Sequence, residues 1–349
     1  LSQNGDRIAV ASTSLIQVYM LPNGTSKWEQ LGEGIQITNA TTRTATKELN
    51  LQNGFAVAIN AAGDHVAVGD SLMGHVKVYR FVSPQWKPVG NTLPGSGIES
   101  DRFGAAVSIN ADGDVVAVGS PGFANLTGKV EVYELIPAGT WEPRGGAISG
   151  VNSTGLSVSL SAKGDRVAVA DRSNPGTSDN PVVRVYGFNR FNDLIWTEMG
   201  DGVNMGRPST TTGWYVDLSA SGDRMVVSNS YVNEEDFINT ETNSLTVQAF
   251  RFTEDKWEKV GENIHANNTG EKSGYLISLS DDGNTIAMGD PGTRSGGRSR
   301  GHAHIYRLTT DNQWKQVGLD IEGEAGKEPQ CHGTTSTLTV SRFVIVDLK

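Results

Sequence analysis

The sequence predicts an all-β fold in which one supersecondary unit is written six times in succession. Three recurring features carry that prediction: a small-residue turn running into alternating Val and Ala, an alternating strand that ends in an aromatic, and a strand that opens with Trp. The turn anchors read GDRIAVAS from Gly5, GDHVAVGD from Gly63, GDVVAVGS from Gly113, GDRVAVAD from Gly164, GDRMVVSN from Gly222 and GNTIAMGD from Gly283. They lie 58, 50, 51, 58 and 61 residues apart. Most helical repeats are shorter than this period.

Each unit has four parts. Ahead of the anchor stands a first strand: GFAVAIN from Gly54, GAAVSIN from Gly104, GLSVSLS from Gly155, GWYVDLS from Gly213 and GYLISLS from Gly274. The anchor supplies the second strand, and its Gly takes up positive φ in a tight hairpin turn. The third strand ends at Tyr19, Tyr79, Tyr133, Tyr186, Phe250 or Tyr306, and the fourth begins at Trp28, Trp86, Trp141, Trp196, Trp257 or Trp314. Short alternating runs without a 3.6-residue period make a four-stranded antiparallel meander. One such sheet cannot bury both faces, so neighbours must stack, and a radial stack protects their edges. The predicted architecture is therefore a β-propeller, one domain over residues 1–349. Its units are about 1–35, 50–95, 103–150, 155–203, 213–265 and 274–321, with a partial unit at 333–349. The recurring aromatics and tryptophans are expected to pack between blades. A set of sugar-stacking tryptophans is the alternative reading.

The number of blades depends on the two ends. Residues 335–348 (TSTLTVSRFVIVDL) resemble the first two strands of another unit without its Gly-Asp turn, since Ser341 runs directly into Arg342. Leu1-Ser2 matches the end of a first strand. Seven blades are expected, one of them shared between the ends, with six as the alternative.

Within the third unit, Phe103-Gly104 and Gly119-Ser120-Pro121 frame a segment that resembles the FG-GAP repeat, the propeller unit of integrin α-chain heads and of many surface proteins. The sixth unit keeps Gly289-Asp290-Pro291. The resemblance implies a propeller displayed outside the cell. Calcium-binding members of that family carry a DxDxDG loop between the first two strands. Here that place holds only the turns around Asp64, Asp114, Asp165 and Asp223. Calcium takes six to eight oxygens, so these Asp residues are expected to be turn residues bonding nearby backbone groups. No cofactor is expected.

Composition narrows the function. The net charge is −10 over 349 residues and the pI is near 5.1, the reverse of a nucleic-acid footprint. No run approaches the roughly 18 apolar residues of a membrane span. A chain of this size buries about three quarters of its unfolded surface and does not need staples. The lone Cys331 excludes an internal disulfide. No phosphate loop, nucleophile elbow or zinc motif is present. His302 and His304 share a strand face, the most that the scattered histidines offer toward a metal. No carboxylate pair of the glycosidase kind stands out.

Binding residues are expected on the rim that carries the variable loops: Thr38 to Thr46, Arg172 to Pro181, Tyr231 to Asn243, Gly292 to Gly301 and Glu322 to Thr334. Two of these loops are oppositely charged, with Glu234, Glu235, Asp236 and Glu241 in one and Arg294, Arg298 and Arg300 in the other. Their pairing across solvent would contribute only about 0–1 kcal/mol. Trp214 and Tyr215 stand where other units have small or apolar residues and are candidates for stacking on a sugar. Asn23, Asn39, Asn125, Asn152 and Asn267 head glycosylation sequons in predicted loops. The expected function is a non-enzymatic extracellular or cell-surface module for interaction, adhesion or assembly with protein partners. A carbohydrate-binding propeller and a polysaccharide-acting enzyme are the alternatives.

Overall fold

The computed structural model of the chain describes residues 1–11, 15–37, 55–150, 153–171, 183–190, 194–204, 213–230, 246–265, 276–290 and 302–322. Six antiparallel sheets follow one another along the chain, one per sequence unit. In blade four, Ser157–Leu160, Arg166–Ala170, Val183–Asn189 and Ile195–Glu198 pair in chain order. Each anchor turn places its Gly at positive φ, from 63° at Gly164 to 79° at Gly113. Among the described residues no helix is long and apolar enough to cross a membrane.

The first strands line the axis. Position by position they read V/I-x-I/L-N/S, and the middle residue reaches the next blade. Ser108 Oγ accepts the Leu160 N–H at 3.0 Å and Ser159 Oγ accepts the Leu218 N–H at 3.1 Å. The apolar residues of the motif fill the seams. Val158 and Leu160 of blade four pack with Val115, Ala117, Val130 and Val132 of blade three, and Val216 and Leu218 of blade five do the same against blade four. Five such clusters occupy the five seams from blades one–two to blades five–six.

On the outer side of each of these seams, the Trp of one blade donates its indole N–H to a backbone carbonyl of the blade before. Trp86 bonds Leu31 O at 2.9 Å, Trp141 bonds Val89 O at 2.8 Å and Trp196 bonds Arg144 O at 2.7 Å. Trp257 bonds Met199 O at 2.8 Å and Trp314 bonds Val260 O at 2.9 Å. The glycine after the acceptor makes room for the ring. At Gly90, φ is 69° and a Cβ would come within 2.6 Å of Trp141. The expected packing of Trp between blades therefore holds in five units. Trp28 is the exception, 40% exposed.

The expectation of seven blades is corrected to six. The turns of units six and one meet at the axis, where Gln3 Nε2 donates to Asp281 Oδ2 at 2.5 Å. Turns that touch leave no place at the axis for a complete sheet between them. Residues 333–349, read as a partial unit, lie outside the described residues.

The turn aspartates depart from the expected chemistry. Asp64 and Asp114 accept from the amides of Asn60 and Asn110 at 2.9 and 2.8 Å, and Asp165 accepts from Ser161 Oγ at 2.8 Å. It is the Asn or Ser four residues earlier that bonds the turn backbone: Asn60 Oδ1 accepts the N–H groups of Asp64 and His65. The Asp carboxylate fixes the side chain that fixes the turn.

Candidate functional site

A depression of about 820 Å³ opens on the rim formed by the one–two and three–four turns, spanning blades three, four and five. It begins at Arg144. That residue follows Trp141 by three positions, where the other units place Leu31, Val89, Met199, Val260 and Val317. Its backbone is held as at Leu31 and Met199, with its N–H on Val132 O at 2.7 Å and its carbonyl on Trp196. The guanidinium therefore enters a slot the repeat builds for an apolar side chain. It is 4% exposed and lies 4.6 Å from the Phe188 ring centroid. Glu134 Oε1 stands 3.5 Å from its Nη1, yet neither Nε nor Nη1 has a hydrogen-bond partner. Burial lowers the Arg144 pKa, the nearby Glu134 carboxylate opposing it. Arginine still stays charged, so the site holds a desolvated cation with bonding capacity to spare.

Lys163 and Arg190 line the same end of the depression. Arg190 shares Glu134 with Arg144, at 2.9 Å from Nη2 to Oε1. Among the described residues no ion pair involves Lys163. Phe188, Met199 and Phe252 supply apolar wall, while Glu198 and Asp255 supply carboxylates. Glu198 is 3.6 Å from Arg184. Asp255 comes from blade five, on a turn where Glu254 and Asp255 have φ of 49° and 61°. Cations thus come from blades three and four, and blade five contributes a carboxylate.

A second departure from the repeat is Asp217. It stands on the first strand of blade five where other blades have Ala58, Ser108, Ser159 and Ser278. Its carboxylate is 6% exposed and takes Ser159 Oγ at 2.7 Å, Ser278 Oγ at 3.2 Å and the Leu279 N–H at 3.0 Å. One side chain thereby ties blades four, five and six at the axis. This is a structural bond, and its only sequence signal is Asp in GWYVDLS.

The residues singled out in the sequence are scattered. Glu234, Glu235, Asp236, Glu241, Arg294, Arg298 and Arg300 lie outside the described residues, as do Asn39, Asn152 and Asn267 and nearly all of the variable loops. Asn23 and Asn125 stand exposed, the latter in the short helix Phe123–Leu126. Trp214 lies on the first strand of blade five, opposite Asn229. Tyr215 is half-buried and packs against the cluster between blades five and six. His304 Nδ1 is 2.9 Å from Asp320 Oδ1, and His302 lies opposite Asp290 and Glu322 in the sheet. Among the described residues no group of three or more His, Cys, Asp or Glu side chains could hold a metal.

No family model matches this sequence, and no curated protein matches it. Solved structures do. The chain is similar to a candidate 6-phosphogluconolactonase from Bacteroides uniformis, at 15% identity and a TM-score of 0.58 over 93% of this chain and 84% of that one. A second candidate 6-phosphogluconolactonase, from Bacteroides fragilis, gives 14% identity and a TM-score of 0.55 over 91% and 83%. The β-propeller domain of Cps50 (Swd1) from Myceliophteria thermophila gives 10% and 0.51 over 93% and 85%. The expectation of a non-enzymatic adhesion module is corrected here: the propellers this chain resembles include two named for an enzyme activity, so the fold does not single out adhesion. At such identities the likeness shows the fold alone, and that fold is a β-propeller of six four-stranded blades.

Proposed function

We propose that this propeller binds a small polyhydroxylated acid, a sugar acid or sugar phosphate, in the depression across blades three, four and five. The observation that carries the reading is Arg144: a buried guanidinium, with unbonded nitrogens, in a slot that is apolar in the other five units. A guanidinium fork matches a carboxylate or phosphate, and such charge-assisted bonds are the strong ones. Arg190 and Lys163 add positive charge beside it, and the Glu198 and Asp255 carboxylates can accept hydroxyl donors further along. A volume of about 820 Å³ falls in the range of small-molecule sites. The FG-GAP character of the units is part of the same reading. It is supported by Phe103, 2% exposed, and by Gly119, where a Cβ would lie 2.0 Å from the Gly155 carbonyl.

The test is titration calorimetry with gluconate, its 6-phosphate and inorganic phosphate, on the wild type and on Arg144→Val. The variant restores the residue type of the repeat. Glu134 keeps Arg190 as its ion-pair partner and the valine enters a slot that is apolar in the other five units, so the fold should persist while affinity falls at least about tenfold. Equal affinity in both proteins, or no binding by either, would remove the proposal. Hydrolysis of the corresponding lactone by the wild type, lost in the variant, would make the depression an active site.

A further inference from the structure

The depression on the turn rim owes part of its space to a side chain that is absent. Gly187 lies on the third strand of blade four, directly after Tyr186, and forms part of the wall. In the other units the residue after the strand-three aromatic is Met20, Arg80, Glu134, Arg251 or Arg307. Nothing in the backbone requires the glycine. Its φ lies outside the positive region that the turn glycines occupy. A Cβ added there would meet only Met199, at 3.2 Å from Sδ and 3.4 Å from Cγ. That thioether ends a flexible side chain, which can give way. The glycines of the second strands are different: at Gly69 and Gly119 a Cβ would run into the Gly104 and Gly155 carbonyls, at 2.2 and 2.0 Å. A strand glycine that neither conformation nor packing demands marks a place where something else approaches the backbone.

We infer that Gly187 opens a subsite for the hydroxylated chain of the ligand and so sets how long an acid the depression accepts. The inference rests on the reading of Arg144 as the anion anchor. Around Gly187 the walls come from blades four and five: Thr197, its partner across the β-ladder, with Met199, Phe252 and Asp255. In blade three the same register is filled by Glu134, which stands 3.5 Å from Arg144. One seam therefore carries the charge and the next carries room. That room is bordered by a threonine hydroxyl and a carboxylate, which pair with alcohol groups, and by Met199 and Phe252, against which a carbon chain can pack. An acid reduced to its charged end would use the Arg144 side alone, whereas one with several hydroxylated carbons would use both. The ligand class is thus a long-chain polyhydroxy acid and not a short hydroxy acid.

Titration calorimetry with gluconate and with glycerate, its shorter counterpart, tests this on the wild type, Gly187→Ala and Gly187→Met. Methionine is the residue of blade one at this register, and thermal unfolding checks that the variants keep the fold. The wild type should prefer gluconate at least about tenfold, the discrimination that even one methylene can bring in a fitted pocket. In Gly187→Met the preference should drop below about threefold while glycerate affinity stays within about twofold of wild type. Gly187→Ala, which adds a single methyl group, should fall between and carries the test if the methionine variant does not fold. Gluconate bound through Arg144 with its preference intact in both variants would overturn this inference and leave the anion site standing. Binding of neither acid by the wild type would remove both. A parallel loss of gluconate and glycerate in the variants would assign the glycine to packing around Met199, and that too would overturn the inference.

Discussion

Among the described residues, five seams of this propeller each hold an apolar cluster and an inter-blade indole bond, and the sixth holds neither. The second, third and fourth strands of blade one are present, with Arg7–Ala11, Leu15–Met20, Glu29–Gln30 and Ile35–Gln36 all placed. The Trp, the Gly and the anchor turn are present too. At the sixth seam no apolar cluster is found among the described residues. The second strand of blade one, Arg7–Ala11, is half-buried along its whole length, while its counterpart in blade three, Val115–Ser120, is buried throughout. An indole bond on the outside accompanies an apolar cluster in each of the other five seams.

The largest expected effect comes from cutting the same residue in a sealed and in the unsealed seam. Trp141 is 3% exposed and bonded to Val89 O, so Trp141→Ala should cost about 3–5 kcal/mol. Trp28→Ala removes an exposed ring and should cost under about 1 kcal/mol. Urea unfolding of the two variants decides the matter. Equal losses would mean that the sixth seam is sealed after all and that the contrast fails.

Asp217 sharpens the comparison at the axis. Asp217→Ala leaves the Leu279 N–H and the Ser159 hydroxyl without their buried acceptor, an expected loss of about 2–4 kcal/mol. Asp217→Ser restores the residue that blades three, four and six use and should recover most of it. If the serine variant is as unstable as the alanine one, the carboxylate has a role beyond bridging blades.

Much of this was legible in the chain, because a repeat displays its packing residues six times over. The turn glycines, the alternating strands and the inter-blade tryptophans could all be read directly. The acceptors of the tryptophans could not, since they are main-chain carbonyls whose side chains vary from Leu31 to Arg144. Arg144 is the one basic residue in a register otherwise held by Leu31, Val89, Met199, Val260 and Val317, but its meaning rests on Phe188 and Arg190 in the next blade. Asp217 likewise acquires its role from serines in two other blades, Ser159 and Ser278. The blade count escapes the sequence for a similar reason: it is set where Gln3 meets Asp281, a contact with no local signature.

The smallest expected effect concerns the turns, where acid should loosen some blades before the seams give way. Burial pushes the carboxyl of Asp64 upward, but hydrogen bonds from Asn60 and His65 outweigh it and hold the group below its usual 3.8. Asp223 is held down by Ser221 and Ser219, and Asp282 by Ser280 and Asn284, again against the effect of burial. A carboxyl whose pKa is lower folded than unfolded contributes stability that is present above the unfolded value and lost as pH falls through the folded one. These turns should therefore contribute fully at neutral pH and progressively less below about pH 4. Asn60→Ala removes the donor to Asp64 and the acceptor for two turn amides at once. Its stability deficit relative to wild type, followed by thermal unfolding from pH 7 to pH 3, should shrink toward the acid end as the Asp64 contribution disappears from both proteins. A deficit independent of pH would assign the whole effect to the backbone bonds made by the Asn60 carbonyl and none to the aspartate.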